Sequence, residues 1–323
     1  MIMAIRIHET GGPEVLRWEG VEVGHPGPGE ARLRHTAVGL NFIDVYHRKG
    51  LYALPLPAVL GSEAAGVVEE VGGDVTEVKP GDRVAYAGPI GAYAQARLIR
   101  ADRLVPLPAD ISDRAAAGMM LKGMTAQYLL RRTCRVEPGD LVLIHAAAGG
   151  VGLIACQWAK HLGATVIGTV STEGKAALAR EHGCDHAIVT SREECVARVR
   201  EITGGRGVRV VYDSVGKDTF EGSLDCLQPL GMMVSYGNSS GPVPPFSPLV
   251  LAAKGSLFLT RPTLMTYTAR REDLLATAAE LFEVVRSGAV RIEIRQTYPL
   301  AEAAQAHRDL EARSTTGSTV LLP

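Results

Sequence analysis

Apolar and polar positions change their rhythm once along this chain. Up to about residue 114 the apolar residues fall in short runs, as in AIRIHE, EARLRHTAVGL, AGVVEEVG and DRVAYAG. Turn-forming stretches, GGPE, HPGPGE and KPGD, separate them at short intervals. This spacing predicts a mostly-β domain of short strands, closed into a partial barrel or sandwich. From Asp113, DRAAAGMMLKGMTAQYLLRRT is rich in Ala and Leu and predicts a helix. Beyond it strands and helices alternate. Strands are predicted at Asp140–Ala146, Ala164–Val170, His186–Val189, Val208–Asp213, Gly231–Tyr236 and Ser256–Thr260, with helices at Val151–Leu162, Glu173–His182, Arg192–Thr203 and Phe220–Leu227. Such alternation means βαβ units and a parallel sheet covered on both faces. A last helix, Arg271–Ser287, repeats Leu274, Leu275, Ala278, Leu281, Phe282 and Val285 at helical spacing, with Gly288 as its cap. It reads as a core-facing helix without chemistry. The tail ends in a strand-like STVLLP. The order (β-rich, α/β, mixed tail) suggests that the α/β domain is inserted into the first.

Composition narrows the class. Of 323 residues, 46% are hydrophobic and 21% charged, as in soluble globular chains. Formal net charge is −1, so nothing electrostatic calls for nucleic acid or an anionic membrane as partner. No apolar run approaches the roughly 18 residues of a membrane helix, and the N-terminus shows no signal-peptide pattern. The five cysteines, Cys134, Cys156, Cys184, Cys195 and Cys226, are widely spaced with no C-x-x-C, which points to a reducing, cytoplasmic compartment. Cys134, Cys156 and Cys226 sit in apolar contexts and read as core.

The sharpest motif is HAAAGGVG, His145–Gly152, between an apolar strand and an amphipathic helix. Glycines there permit a tight turn, let backbone N–H groups approach a pyrophosphate and allow close helix–strand packing. Ala148, Gly149, Gly150 and Val151 are therefore expected to hold a dinucleotide at the helix N-terminus. An NAD site places an acid at the end of the next strand. Here that strand ends at Ser171, followed by Thr172 and then Lys175, a set that suits a ribose 2′-phosphate and predicts NADPH. Glu173 is the competing observation, and Lys175 as a merely solvated lysine is the bland alternative.

The stretch Gly139–Lys160 resembles the signature of the zinc-free quinone oxidoreductase (zeta-crystallin-like) branch of the medium-chain dehydrogenase/reductase superfamily. NFIDVYHRKGLY, GSEAAGVVEEVG, LKGMTAQYLL, VVYDSVG and SYGNSSG match the same branch in order over essentially the whole chain. The resemblance implies an α/β fold: a GroES-like catalytic domain, residues 1–123 and 262–323, with an inserted Rossmann NADPH-binding domain, residues 124–261, and a deep cleft between them. It implies that Asn41, Asp44, Tyr46, Tyr52 and Thr125 line the nicotinamide and substrate end. Tyr128, Tyr236, Gly237, Asn238 and Ser239 are implied near the cofactor, and Arg313 near the adenosine phosphate. Bland readings stay open: Asn41 as a turn residue, Asp44 as a helix cap or ion-pair partner, the tyrosines as packing. Where some relatives carry a tyrosine against the adenosine, this chain reads Thr190-Ser191-Arg192.

Zinc-dependent relatives need a cysteine near Asn41–Asp44 and a G-H-E. Here no cysteine precedes Cys134, and the tripeptide reads Gly61-Ser62-Glu63. A metal among His35, His47 and Glu63 has no matching spacing, so none is expected. No nucleophile–base spacing stands out, and no catalytic residue is assigned. The resemblance implies a soluble, homodimeric NADPH:quinone oxidoreductase, its dimer made by GSLFLT at an uncovered sheet edge. Resemblance to 2-haloacrylate reductase, in LMTYTARREDL and GTVSTE, makes reduction of an activated C=C bond the alternative. An anionic acrylate would want a cation, for which Arg48, Lys49, Lys122 and Arg261 are candidates. A non-catalytic NADPH-binding or RNA-binding crystallin-like role is the reading of a different class.

Overall fold

The computed structural model describes residues 1–323. The chain opens with β1 (Ile2–Ile7), β2 (Arg17–Val21) and β3 (Glu30–Leu40), then the short α1 (Phe42–Arg48). β4 (Ala58–Val59), β5 (Glu63–Val71), β6 (Arg83–Ala87), β7 (Ala96–Arg100) and β8 (Val105–Pro106) follow, and α2 (Asp113–Tyr128) leads out. Next come β9 (Leu141–Ile144), α3 (Gly150–His161), β10 (Thr165–Val170), α4 (Glu173–Glu181), β11 (His186–Val189) and α5 (Cys195–Ile202). They continue as β12 (Val208–Asp213), α6 (Phe220–Asp225), β13 (Leu227–Ser235), α7 (Leu249–Ala253), β14 (Phe258–Thr260) and α8 (Leu264–Tyr267). The tail is α9 (Arg271–Arg286), β15 (Ile294–Pro299), α10 (Ala303–Glu311) and β16 (Ser318–Leu322).

Two compact units result. The first comprises Met1–Met124, Thr268–Phe282 and Ile292–Pro323. Its seven-stranded sheet runs β15-β16-β3-β5-β6-β8, with β7 also on β3, beside a three-stranded sheet β2-β1-β4. The C-terminal strand completes the N-terminal sheet: β16 pairs antiparallel with β3, Val320 opposite Gly39. Alternation along β3 buries Ala31, Leu33, His35 and Ala37 in turn. These join Ile5, Ile7, Tyr86, Tyr93 and Leu321 among the core residues of this unit. Gly39 is small by necessity. A Cβ there would lie 2.2 Å from both the Ala117 carbonyl and Glu63 Oε2.

The second unit comprises Thr125–Tyr267 and Glu283–Arg291. Its parallel sheet has the order β11-β10-β9-β12-β13-β14. The order reverses between β9 and β12, where doubly wound sheets bind ligands. α3 buries Leu153, Ile154, Ala155, Cys156, Trp158 and Ala159.

Among the predicted strands and helices the differences lie at their ends, and the second unit also holds residues 262–267 and Glu283–Arg291, which were expected in the first domain. The helix from Asp113 gives way to a π-type turn at Leu129–Thr133. The helix expected from Arg192 starts at Cys195, because the N–H groups of Arg192 and Glu193 fold back onto the Val189 carbonyl in a turn. Leu227, expected in a helix, begins β13, paired with Val208. All five cysteines are free thiols, and four of them are buried.

Two glycine substitutions separate packing from conformational freedom. Gly39→Ala is expected to lower stability by about 1–3 kcal/mol through overpacking. Gly73→Ala meets nothing within 4 Å and should change it by less than about 1 kcal/mol. Urea midpoints of the two variants against wild type check the contrast; equal midpoints would refute it.

Candidate functional site

In the second unit, the sequence-predicted nucleotide residues gather along one edge of the sheet, where each strand ends. After β9 the chain turns through Ala146, held at φ +53, and enters α3 with Gly149 as its extended N-cap. No side chain caps this helix, so the N–H groups of Gly150 and Val151 are left uncapped at its positive dipole end, while the Gly149 N–H donates to the Ala146 carbonyl at 2.9 Å. Ala148 is buried in the turn. A Cβ on Gly152 would stand 2.3 Å from the Ala146 carbonyl, so only glycine lets helix and loop come this close. The resulting backbone cradle, with no side chain in the way, fits a pyrophosphate.

Beside it, β10 ends in Val170 and passes to Ser171 and Thr172. The Thr172 hydroxyl caps α4, accepting from Lys175 N at 3.3 Å. Glu173, the competing acid, is already engaged. Arg192 from the loop after β11 donates to it at 2.9 Å, both side chains being exposed. Lys175 and Arg192 thus both stand at this end of the edge, Arg192 paired with Glu173.

The loops after β12 and β13 meet backbone to backbone. A Cβ on Gly237 would lie 2.4 Å from the Ser214 carbonyl. Ser239 N donates to Ser214 O at 3.2 Å and Tyr236 N to Asp213 O at 2.8 Å. Tyr236, Gly237, Asn238 and Ser239 are therefore held against the β12 loop. Asp213, which sequence reasoning left without a role, organises them. It accepts from Val215 N (2.7 Å), Gly216 N (3.1 Å), Thr219 Oγ1 (2.7 Å) and Ser223 Oγ (3.0 Å). Since Ser223 spends its hydrogen on Asp213, its oxygen accepts from His145 Nε2, and His145 Nδ1 accepts from Thr169 Oγ1, each at 2.9 Å. Burial lowers the His145 pKa, so the ring is neutral as this line requires. Its signal in the sequence was an acid ending an apolar strand.

Thr125 and Tyr128 lie one turn apart at the end of α2. The Tyr128 ring stacks on Tyr267, centroids 4.7 Å apart and 11° from parallel. Burial raises the Tyr128 phenol, against the hydrogen bond with Thr125.

In the first unit, α1 carries the other expected residues. Asn41 is its N-cap and forms a capping box with Asp44. Asn41 Nδ2 donates to Glu63 at 2.8 Å, and Glu63 also accepts from Leu121 N (2.7 Å) and Lys122 Nζ (2.9 Å). Glu63 and Asp44 are both fully buried. Asp44 accepts from Asn41 N, Ser62 Oγ and Tyr93 Oη. It is thus a cap and a network acceptor. Tyr46 and Tyr52 meet edge to face, centroids 5.4 Å apart, with Phe42 and His47 alongside. Arg313 follows α10 at φ +58.

The residues weighed for a metal are committed elsewhere. His35 Nδ1 donates to Ala94 O at 2.6 Å, its Nε2 lies 3.1 Å from Tyr86 Oη, and burial lowers its pKa to about 4. His47 Nδ1 donates to Tyr52 O at 3.1 Å. No three His, Cys, Asp or Glu side chains gather as a metal set. Three of the four candidate cations face carboxylates: Arg48 and Lys49 share Glu311, and Lys122 faces Glu63. Arg261 donates to Ser235 Oγ and Gly237 O.

The chain is similar to known proteins over its whole length. The family model for the alcohol dehydrogenase GroES-like domain matches residues 27–109, and that for zinc-binding dehydrogenase residues 150–283. A quinone oxidoreductase of Pseudomonas aeruginosa is 55% identical over 100% of both chains. A 2-haloacrylate reductase of a Burkholderia species is 53% identical over 100% of this chain and 99% of its own. The crystal structure of Escherichia coli quinone oxidoreductase complexed with NADPH superposes with TM-score 0.98 at 50% identity, covering 99% of this chain and 100% of that one.

The buried Glu63–Lys122 pair makes a stability prediction. Glu63→Gln strands the ammonium and should cost about 3–5 kcal/mol, and Lys122→Met strands the carboxylate at similar cost. The double variant should lose less than the sum of the two. Additive losses in denaturant titrations would rule the coupling out.

Proposed function

Because the chain belongs to the quinone oxidoreductase family of the medium-chain dehydrogenases/reductases, we propose that it reduces quinones with NADPH. The uncapped glycine cradle at α3 carries this reading. Gly150 and Val151 hold the pyrophosphate through backbone N–H groups, Gly149 leaves room for its approach, and Tyr236–Ser239 hold the nicotinamide end of the same sheet edge. When bound, the cofactor supplies the hydride. Lys175 and Arg192 hold the ribose 2′-phosphate, since no acid stands at the tip of β10 to take a free 2′-hydroxyl. The carboxylate of Glu173 is drawn off by Arg192.

The protein's own contribution is position and the exclusion of water. Tyr46 and Tyr52 offer flat faces to an acceptor ring. The cations weighed for an anionic substrate are mostly neutralised by neighbouring carboxylates, which favours an uncharged quinone. Reduction of an activated C=C bond is the second reading, supported by the 53% identical 2-haloacrylate reductase. The five free thiols favour a reducing cytoplasm.

We also propose a homodimer through β14, the edge strand. Phe258 on it is 56% exposed, with Leu230 at 68% nearby in the chain's β13. Sedimentation should give twice the chain mass, falling to one chain mass for Phe258→Asp. A wild-type monomer would remove the dimer.

NADPH oxidation with 1,4-benzoquinone, 2-chloroacrylate and a simple enone in parallel tests the activity. Quinone turnover with NADPH preferred over NADH is expected. Turnover confined to the alkenes would replace the quinone reading, and cofactor binding without turnover would leave a non-catalytic protein. Lys175→Ala should raise the KM for NADPH by roughly tenfold or more, about the loss of one charge-assisted contact, and leave NADH unchanged. An equal change for both cofactors would refute the 2′-phosphate assignment.

A further inference from the structure

The polar groups around α1 form one line that leaves the helix at its last residue and returns to its third. Arg48, fully buried, ends α1. Its guanidinium has donors only. Arg48 Nη1 lies 3.0 Å from His307 Nδ1 on α10, so that nitrogen must accept. Burial and the neighbouring Arg48 lower His307 to about 3, so the ring is neutral and its single hydrogen is on Nε2. His307 Nε2 then donates to Tyr93 Oη at 3.0 Å, and Tyr93 turns its own hydrogen to Asp44 Oδ2 at 3.0 Å. Every hydrogen in the line is assigned by chemistry: Arg48 to His307 to Tyr93 to Asp44. Two further donors close on Asp44, Asn41 N at 3.0 Å and Ser62 Oγ at 2.8 Å.

The line has a purpose only if Asp44 is ionised. Asp44 accepts from three donors and donates to none, the pattern of an ionised carboxylate. Burial pushes Asp44 up to about 6, while Ser62, Asn41, Tyr93 and the charge of Lys122 hold it from going higher. Glu63 and Arg48 are the other charges that face Tyr93. Glu311 answers the charge of Arg48, which donates to it through Nη2 at 2.6 Å. α1 has only seven residues. A helix so short does not hold itself, so its cap and its outer clamp decide its geometry.

We propose that Tyr93 and His307 are positioning residues for the reduction: the directed line from Arg48 keeps Asp44 ionised, and ionised Asp44 fixes the N-cap Asn41 and the helix that carries Tyr46. This rests on the oxidoreductase reading. Neither residue touches the acceptor in this account. Each acts through Asp44.

Nitrogen NMR of labelled histidine tests the line without any turnover. His307 should show the neutral Nε2–H form unchanged from about pH 5 to 8. An Nδ1–H form, or titration in that range, overturns the proposal. Turnover gives the second readout. Quinone reduction should lose kcat as pH falls through the Asp44 midpoint near 6. Tyr93→Phe removes one donor and should move that limb upward by about one pH unit, with the KM for NADPH unchanged. Asp44→Asn should abolish the limb and leave a slow, pH-independent rate. His307→Gln, which keeps a donor and an acceptor, should retain more activity than His307→Leu. A Tyr93→Phe enzyme that is slower with an unmoved limb would reduce Tyr93 to a packing residue. If no acceptor is turned over at any pH, the oxidoreductase reading fails, and the NMR result stands on its own.

Discussion

A carboxylate without water must be met by donors, and those donors must in turn be supplied. Three buried acids impose this constraint, and much of the local structure follows from it. Asp44 draws in Asn41, Ser62 and Tyr93, and behind Tyr93 stand His307 and Arg48. Glu63 draws in Asn41, Leu121 and Lys122. Asp213 draws in two backbone N–H groups, Thr219 and Ser223, with His145 and Thr169 behind. Each line runs from a group that can only donate, or whose hydrogen is spoken for, to one that only accepts. Such lines have one orientation, and a fully satisfied buried network is rigid.

The networks serve different ends. Around Asp213 the result is a fixed pair of loops at the carboxyl edge of a parallel sheet. Glycines complete that edge, because Gly152 and Gly237 stand where a Cβ would meet carbonyl oxygens at 2.3 and 2.4 Å. The cradle is thus built from backbone, as recognition of a phosphate chain requires. Around Asp44 and Glu63 the result is a short helix held at both ends. Asn41 belongs to both networks, its backbone N on Asp44 and its amide on Glu63. Its cap role and any role toward a ligand are therefore compatible only at the faces these bonds leave open.

Much of this was legible in the chain. The alternation of strand and helix, the glycine run after an apolar strand and the hydroxyl rather than an acid at the strand tip, Ser171, are local patterns, and local patterns survive in one dimension. A cap near Asn41–Asp44 was also local, since a capping box spans only four positions, though the sequence reading put the cap on Asp44 and the structure puts it on Asn41, with Asp44 at the third helical position. Element ends were less legible. The turn at Arg192 arises from the Val189 carbonyl accepting two N–H groups, and the π-type turn at Leu129–Thr133 interrupts a run whose Ala and Leu content favours helix throughout.

What the sequence by itself determined is the two-part architecture, the family and the glycine loop that opens α3, because periodicity and glycine placement encode them within a few dozen residues. What only the tertiary structure decided is who partners the buried charges. His307 lies 259 positions from Arg48 and 214 from Tyr93, and no local pattern links them. Lys122 read as an available cation until the fold placed it 2.9 Å from Glu63, 59 positions away. The reason is physical. Hydrophobic burial needs only the right kind of residue on the right face, whereas a buried charge needs one particular atom within about 3 Å, and only a folded chain supplies that distance.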